Sequence, residues 1–186
     1  GLRLSYSLPE DLKVLVIEKN DSVRIKSSCL VSYRFFEIAR ELEKENLVLK
    51  SFNEAWFNFP HGSFKLNSKK KMHLLELKKF ESSLLNLARE KADIKFGTNF
   101  LDANKNKVIT SKGIFHTKIL VGADGPLSRV AKIKGIKLSD EIYSSVEGEI
   151  EGKFGNEIQI FFDSSYSKNF FVWLIPENSK AKLGII

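Results

Sequence analysis

The chain has 186 residues, of which 42% are hydrophobic and 28% charged, and carries a formal charge of +7. That is long enough for one good core, or for one domain and part of another, and the balance is that of an ordinary soluble globular protein. The basic charge admits nucleic acid, anionic lipid or a phosphate-bearing ligand as partner. A single cysteine excludes a disulfide framework and the Cys-rich zinc modules, and fits a reducing cytosol. The apolar runs are too short to cross a bilayer, and the early charges do not read as a signal peptide.

Gly1 to Leu8 carries apolar residues at helical spacing and stops at Pro9-Glu10-Asp11. Lys13 to Glu18 is a nearly unbroken apolar run ending in an acid, the pattern of a buried parallel strand. This pair reads either as a generic helix and strand or as the back half of a dinucleotide-binding unit. In that unit the third glycine of G-x-G-x-x-G starts the helix, and an acid about 20 residues on binds the ribose. Gly1 and Glu18 take those places, with the first strand and first two glycines absent, so the chain reads as truncated at its front.

Arg24 to Cys29 is a polar loop, and Tyr33 to Lys44 an amphipathic helix with Phe35, Ile38, Ala39 and Leu42 on one face. Cys29 reads as a small buried residue, since nothing nearby forms a catalytic dyad with it. His61, His73 and His116 show no ligand spacing, so no metal site is expected. Leu47 to Leu49, Ala55 to Phe59, Ser63 to Leu66 and Met72 to Leu77 have strand character, with a turn at Pro60-His61-Gly62. Lys69-Lys70-Lys71 reads as a solvated turn and helix start or as a binding patch. It lacks the aromatic interleaving of a nucleic-acid platform, so no nucleic-acid partner is expected.

Lys78 to Lys91 is a strong helix, with Phe80, Leu84, Leu87 and Ala88 in register. A short strand and bend at Ile94 to Phe100 follow, then a hairpin around Lys112-Gly113. Ile119-Leu120-Val121 then reads as the end of a buried strand that breaks at Gly122 and Gly125. Asp124 sits in the break, and Pro126, Ser128 and Arg129 open a helix whose backbone N–H groups could face an anion. By local geometry alone this is an ordinary strand-to-helix turn. Beyond it, Ile142 to Ile150, Glu157 to Phe162, Phe170 to Ile175 and Lys182 to Ile186 form an antiparallel sheet. Its aromatic residues Phe161, Phe162, Phe170, Phe171 and Trp173 must cover a core or a hydrophobic ligand. Alternation puts Phe171, Trp173 and Ile175 on one face with Val172 and Leu174 behind them. That stripe is either one wall of a tunnel for an apolar chain, closed by a turn at Pro176, or a surface packed on a helix.

Gly122-Ala123-Asp124-Gly125-Pro126-Leu127-Ser128 resembles the G-A-D-G-x-x-S motif of flavoprotein monooxygenases and their relatives, where the Asp bridges riboflavin and a nicotinamide pyrophosphate. Phe171-Val172-Trp173-Leu174-Ile175-Pro176, seven residues and then Gly184-Ile185-Ile186, resembles Y-x-W-x-F-P…G-x-G of the geranylgeranyl reductase family, which lines an isoprenoid tunnel. With Val14 to Lys19, Cys29 and the helix and strand from Phe80 to Thr98, the resemblance covers nearly the whole chain. It implies an α/β plus antiparallel β fold: a Rossmann-like FAD-binding domain, incomplete at its N-terminus, with a β-rich substrate domain. The implied division is a partial dinucleotide-binding segment at 1–50, a substrate-side hairpin at 51–77, a return to the FAD domain at 78–135 and a truncated substrate domain at 136–186.

The resemblance implies FAD as cofactor, held by Gly1, Glu18, Lys19, Cys29, Phe100, Asp124, Gly125 and Ser128. Phe171, Trp173, Pro176 and Gly184 would face the substrate, and Cys29 is a weak catalytic candidate. The implied reaction is reduction of prenyl-chain double bonds, with NAD(P)H or ferredoxin as electron donor, in the cytoplasm or peripherally at a membrane. A flavin monooxygenase or halogenase, and a non-catalytic lipid-binding relative, are the other readings. The sequence departs from the family at Leu30 and Val31, where glycines are expected, at Leu77 for an Arg, at Phe171 for Tyr and at Ile186 for Gly. The isolated chain is accordingly expected to be an inactive fragment.

Overall fold

The structure, a computed structural model, describes residues 1–24 and 27–186. Two residues of the expected polar loop, Ile25 and Lys26, lie outside the described residues. In chain order the elements are α1 (Leu2–Ser7), β1 (Val14–Ile17), β2 (Leu30–Val31), α2 (Phe35–Ile38), β3 (Val48–Phe59), β4 (Gly62–Leu75) and α3 (Leu77–Lys91). There follow β5 (Ala92–Lys95), β6 (Phe100–Asn104), β7 (Lys107–Thr110), β8 (Gly113–His116), α4 (Arg129–Ile133), β9 (Val146–Glu151), β10 (Ile158–Phe161), β11 (Val172–Pro176) and β12 (Lys180–Ile185). No helix among the described residues is long and apolar enough to cross a membrane.

Two compact units divide the chain, residues 1–25 with 81–142 and residues 26–80 with 143–186. The boundaries differ from those read along the sequence, because residues 26–50 carry β2 and the start of β3, which pair within the second unit.

In the first unit β1 pairs in parallel with β5, Val14 opposite Ala92 through Ile17 opposite Lys95. The strand is parallel as its pattern implies, yet Leu15 is 37% exposed, since β5 is its only strand partner among the described residues. β6, β7 and β8 form a separate antiparallel meander. Ile119 to Val121 departs from expectation: it forms no strand, and Ile119 is 75% exposed. Its apolar run matches a buried strand in composition but finds no ladder partner, so backbone pairing never forms.

The second unit is one seven-stranded sheet in the order β2-β4-β3-β10-β11-β12-β9. The strands expected at 47–49, 55–59, 63–66 and 72–77 fuse into the two long arms of one hairpin, which turns at Pro60-His61, except that the last ends at Leu75 and Leu77 already begins α3. Lys69-Lys70-Lys71 is neither turn nor helix start. The register jumps from Phe52 opposite Met72 to Glu54 opposite Asn67, so these lysines bulge out of β4, and Lys70 Nζ lies 4.2 Å above the Tyr33 ring. The expected helix at 33–44 also breaks. α2 ends at Ala39, whose φ of −121° and ψ of 58° are not helical, and a 3-10 segment follows over Arg40–Glu45. The break buries Leu42 and leaves Ile38 exposed. α3 forms as expected, and its first turn is capped by the Glu76 carboxylate, which accepts the Lys78 and Lys79 backbone N–H groups at 3.1 Å.

The core of this sheet is Phe52, Leu74, Ile158 and Ile175, with Leu30, Ala55, Ile160 and Trp173 packed against it. Leu74 is fully buried, so Leu74→Ala should destabilise the fold by about 2–5 kcal/mol, read as a lowered urea midpoint. An unchanged midpoint would mean that the cavity collapses without cost.

Candidate functional site

In the first unit the Asp124 turn is built by its own side chain. Oδ1 accepts from Ser128 Oγ at 2.5 Å, and Oδ2 accepts the backbone N–H groups of Arg129 at 2.7 Å and Val130 at 3.2 Å. Ser128 Oγ in turn accepts from Ala131 N at 3.0 Å and caps α4. Gly125 has a φ of +87°, a conformation that a side chain would strain, and a Cβ on Gly122 would come within 3.0 Å of Val130 Cβ. Burial alone would raise the Asp124 pKa. The Ser128 hydroxyl and the backbone N–H groups outweigh it and hold the carboxyl below its ordinary value of 3.8. Leu127, Arg129, Lys132 and Ile133 line an open depression beside this turn.

Gly1 lies against the same turn, since a Cβ built on it would be 3.6 Å from Ala123 Cβ. Its carbonyl accepts from Ser5 N at 3.1 Å, while the first turn of α1 has no side-chain cap. Uncapped N–H donors beside a glycine-lined turn fit an anionic pyrophosphate in kind. Glu18 follows β1, where Oε1 accepts from Asn20 N at 2.8 Å and Asn20 Nδ2 at 2.6 Å. The Glu18 carbonyl accepts from Thr98 N at 2.9 Å, which ties this corner to the turn leading into Phe100 at the head of β6. Lys19 beside it is exposed. The uncapped first turn of α1, the Glu18 carboxylate and the Asp124 turn all lie in one unit, and the α1 N–H groups with the Glu18 carboxylate suit, in kind, the adenosine diphosphate part of FAD.

In the second unit Cys29 is 2% exposed with a φ of 57°, and its carbonyl accepts from Leu75 N at 3.0 Å. Leu30 and Val31, standing where a Gly-rich turn is expected, instead form β2 against Leu74 and His73 of β4.

Trp173 is paired across the sheet with Gly184. A methyl group at position 184 would overlap the indole ring, so glycine there makes room for tryptophan on the neighbouring strand. Trp173 Nε1 donates to Glu147 Oε2 at 2.9 Å. Phe171 lies 6.1 Å from Trp173 and 5.6 Å from Phe162, which joins Phe57, Phe59 and Phe64 in a stack spaced at 5.1–6.3 Å. Phe171 and Trp173 therefore share a face, as alternation implies. Ile175 belongs to the core at 2% exposure, and Val172 and Leu174 behind are only half-buried. Phe161 pairs with Val172 and points to the opposite face. Pro176 is buried at the end of β11, and the backbone turns just after it, with Glu177 N donating to Lys180 O at 2.8 Å.

Four contributors, Phe57, Phe59, Phe64 and Glu147, are not among the residues that the sequence singles out. Phe57, Phe59 and Phe64 were assigned to a hairpin, with no signal that β3 would lie beside β10. Glu147 was one of three alternating acids, Glu147, Glu149 and Glu151, a period-2 pattern that marks one strand face.

No family model matches the chain. An uncharacterised protein of Methanocaldococcus jannaschii is 28% identical over 192 residues, covering 94% of this chain and 48% of that protein. A geranylgeranyl bacteriochlorophyll reductase-like protein of Thermoplasma acidophilum superposes with a TM-score of 0.78 at 19% identity, over 99% of this chain and 52% of its own. PqsL of Pseudomonas aeruginosa, "a probable FAD-dependent monooxygenase", gives 0.77 at 18%, over 99% and 56%. The flavin-dependent halogenase CmlS gives 0.71 at 14%, over 100% and 38%. The chain has the mixed α/β and antiparallel β fold of these flavoproteins and spans about half the length of the relatives it matches.

Ser128→Ala should cost about 1 kcal/mol through loss of the α4 cap, measured by urea unfolding. Asp124 adds a pH signature. Its folded pKa is lowered, so its contribution is present above 3.8 and is lost as pH falls through the lower folded value. The stability gap between the protein and Asp124→Asn should hold constant from neutral pH to mildly acidic pH and close below 3.8. A gap that persists unchanged at the acid end would remove the carboxylate from the turn's stability.

Proposed function

We propose that this chain is part of an FAD-dependent oxidoreductase that reduces carbon–carbon double bonds of prenyl chains or prenyl lipids. The observation that carries the reading is the Trp173–Gly184 pair beside an apolar aromatic face, in a fold similar to those of a probable FAD-dependent monooxygenase and a flavin-dependent halogenase. Such a face offers an alkene few polar contacts, and each buried methylene contributes about 0.8 kcal/mol, which suits a long isoprenoid.

Gly1 with the first turn of α1, Glu18, Phe100 and the Asp124 turn are the residues that would hold the cofactor. Bound in its reduced form, the flavin would supply a hydride for one alkene carbon and be left oxidised, while a proton would go to the other carbon. This chain's part is to fix the cofactor, present an apolar surface to the substrate and exclude water from it. Asp124 serves by shaping its turn, and Glu18 serves through Oε2, which its contacts with Asn20 leave to the ribose hydroxyls.

A monooxygenase or halogenase is the second reading, favoured by the likeness to PqsL and CmlS. Anaerobic incubation of the full-length, chemically reduced flavoprotein with geranylgeraniol separates the two. Hydrogenated product and reoxidised flavin without oxygen are expected, whereas product formed only when oxygen is admitted would overturn the reductase reading. Glu18→Ala in the same protein should weaken FAD retention, read from flavin absorbance after dialysis, while the far-UV circular dichroism spectrum stays that of the folded protein. Full occupancy in that variant would take Glu18 out of the site.

A further inference from the structure

The strand registers put Glu147 of β9, Gly184 of β12, Trp173 of β11, Ile160 of β10, Phe57 of β3 and Phe64 of β4 in a single row across the sheet. The row has a carboxylate at one end and two stacked phenyl rings, 5.1 Å apart, at the other. Gly184 gives the indole a place to lie, since a side chain there would overlap the ring. Phe171 meets it edge-on from one side only, with the ring planes at 63°. Trp173 also packs against the core of Phe52, Leu74, Ile158 and Ile175, and its one polar restraint is the bond from Nε1 to Glu147 Oε2. Glu149, the next acid on the same strand face, is taken by Lys180 at 2.9 Å, so Glu147 is the acid that serves the indole.

We infer that Glu147 is a positioning residue that locks the Trp173 ring over Gly184 and so sets how long an apolar chain the aromatic face accepts. This rests on the prenyl reading above and adds to it a determinant of chain length. A ring held in one rotamer costs nothing to order when substrate arrives, and it forms a fixed end to the face. Released, the same ring sweeps the space where the far end of a long chain would lie. A short chain that does not reach Trp173 is indifferent to the change.

The test uses the full-length protein with Glu147→Gln, which keeps an acceptor oxygen, and Glu147→Ala, which does not. The indole N–H signal of Trp173, assigned by its loss in Trp173→Phe, should stay in place in Glu147→Gln and move upfield in Glu147→Ala. The dissociation constant for geranylgeraniol should rise roughly three- to tenfold in Glu147→Ala and little in Glu147→Gln, as expected for loss of one pre-ordered side chain. Geraniol binding should be unchanged in both. Glu147 is exposed, so the melting temperature should not move. An unmoved indole signal in Glu147→Ala, or equal weakening for both alcohols, would overturn the inference. If the unsubstituted protein binds neither alcohol, the prenyl reading falls and the chain-length role with it. The indole signal then still decides whether Glu147 holds the ring.

Discussion

The second unit depends on one parallel pairing. β3 and β10 run side by side with Ile158 opposite Ala55 and Phe161 opposite Asn58, joining stretches of chain about a hundred residues apart. Asn58 fastens it, donating through Nδ2 to Gln159 Oε1 at 3.0 Å and to Ile160 O at 3.2 Å, while its carbonyl accepts from Phe162 N. On the same side Lys65 bridges Glu54 and Glu157, each at 3.0 Å. Hydrogen bonds to Glu157 and then to Glu54 raise the lysine pKa, and the bond from Lys65 lowers that of Glu157. These side chains are still reached by solvent, so they contribute to register more than to stability. The opposite side receives the aromatic face as a consequence. Without this register Phe57, Phe59 and Phe64 would not meet Phe162 and Phe171.

That pairing also explains what could be read from the sequence and what could not. Local signals held where one element decides its own state. α3 has the helical period and a capping acid at Glu76, and the hairpin at Pro60-His61 has its turn residues. They failed where the state depends on a remote partner. Lys69 to Lys71 look like a solvated turn, yet the long β3 arm beside them carries the ladder past the lysines and leaves them as a bulge. Ile119 to Val121 show the reverse, strand-like residues with no strand to join. The likeness of Tyr33 to Lys44 to a continuous helix counted apolar spacing, but not the edge-on contact of Phe35 with Phe80 at 5.6 Å, which ties the segment's first turn to α3.

The candidate site was legible in a different way. Trp173, Pro176 and Gly184 stand out through the resemblance to Y-x-W-x-F-P…G-x-G, whose interval they keep, and the registers give that interval a physical meaning. From Trp173 to Gly184 the chain completes β11, turns at 177–180 and returns on β12, so that the two residues face each other. A bulky aromatic directly opposite glycine covers backbone that would otherwise be exposed, which couples the two choices. The partner acid at 147 has no fixed interval to either residue, because β9 reaches β12 through a long connection. A contact across such a connection leaves no trace in local spacing.

The two acids expected at the cofactor differ in what their geometry leaves available. Asp124 has both carboxylate oxygens occupied by donors of its own turn, three bonds in all. An anionic ligand gains nothing from meeting that carboxylate directly. The N–H groups of Arg129, Val130 and Ala131 are taken as well, by Asp124 and Ser128, so what the turn offers is its shape, with Gly125 in a left-handed conformation. Glu18 concentrates its bonds on one oxygen, both donors coming from Asn20. Its second oxygen is therefore the one that a sugar diol can reach without breaking the turn. In the proposed reading the same residue type would have two roles, a scaffold at 124 and a ligand-facing acceptor at 18, and the difference follows from where each chain segment finds its N–H donors.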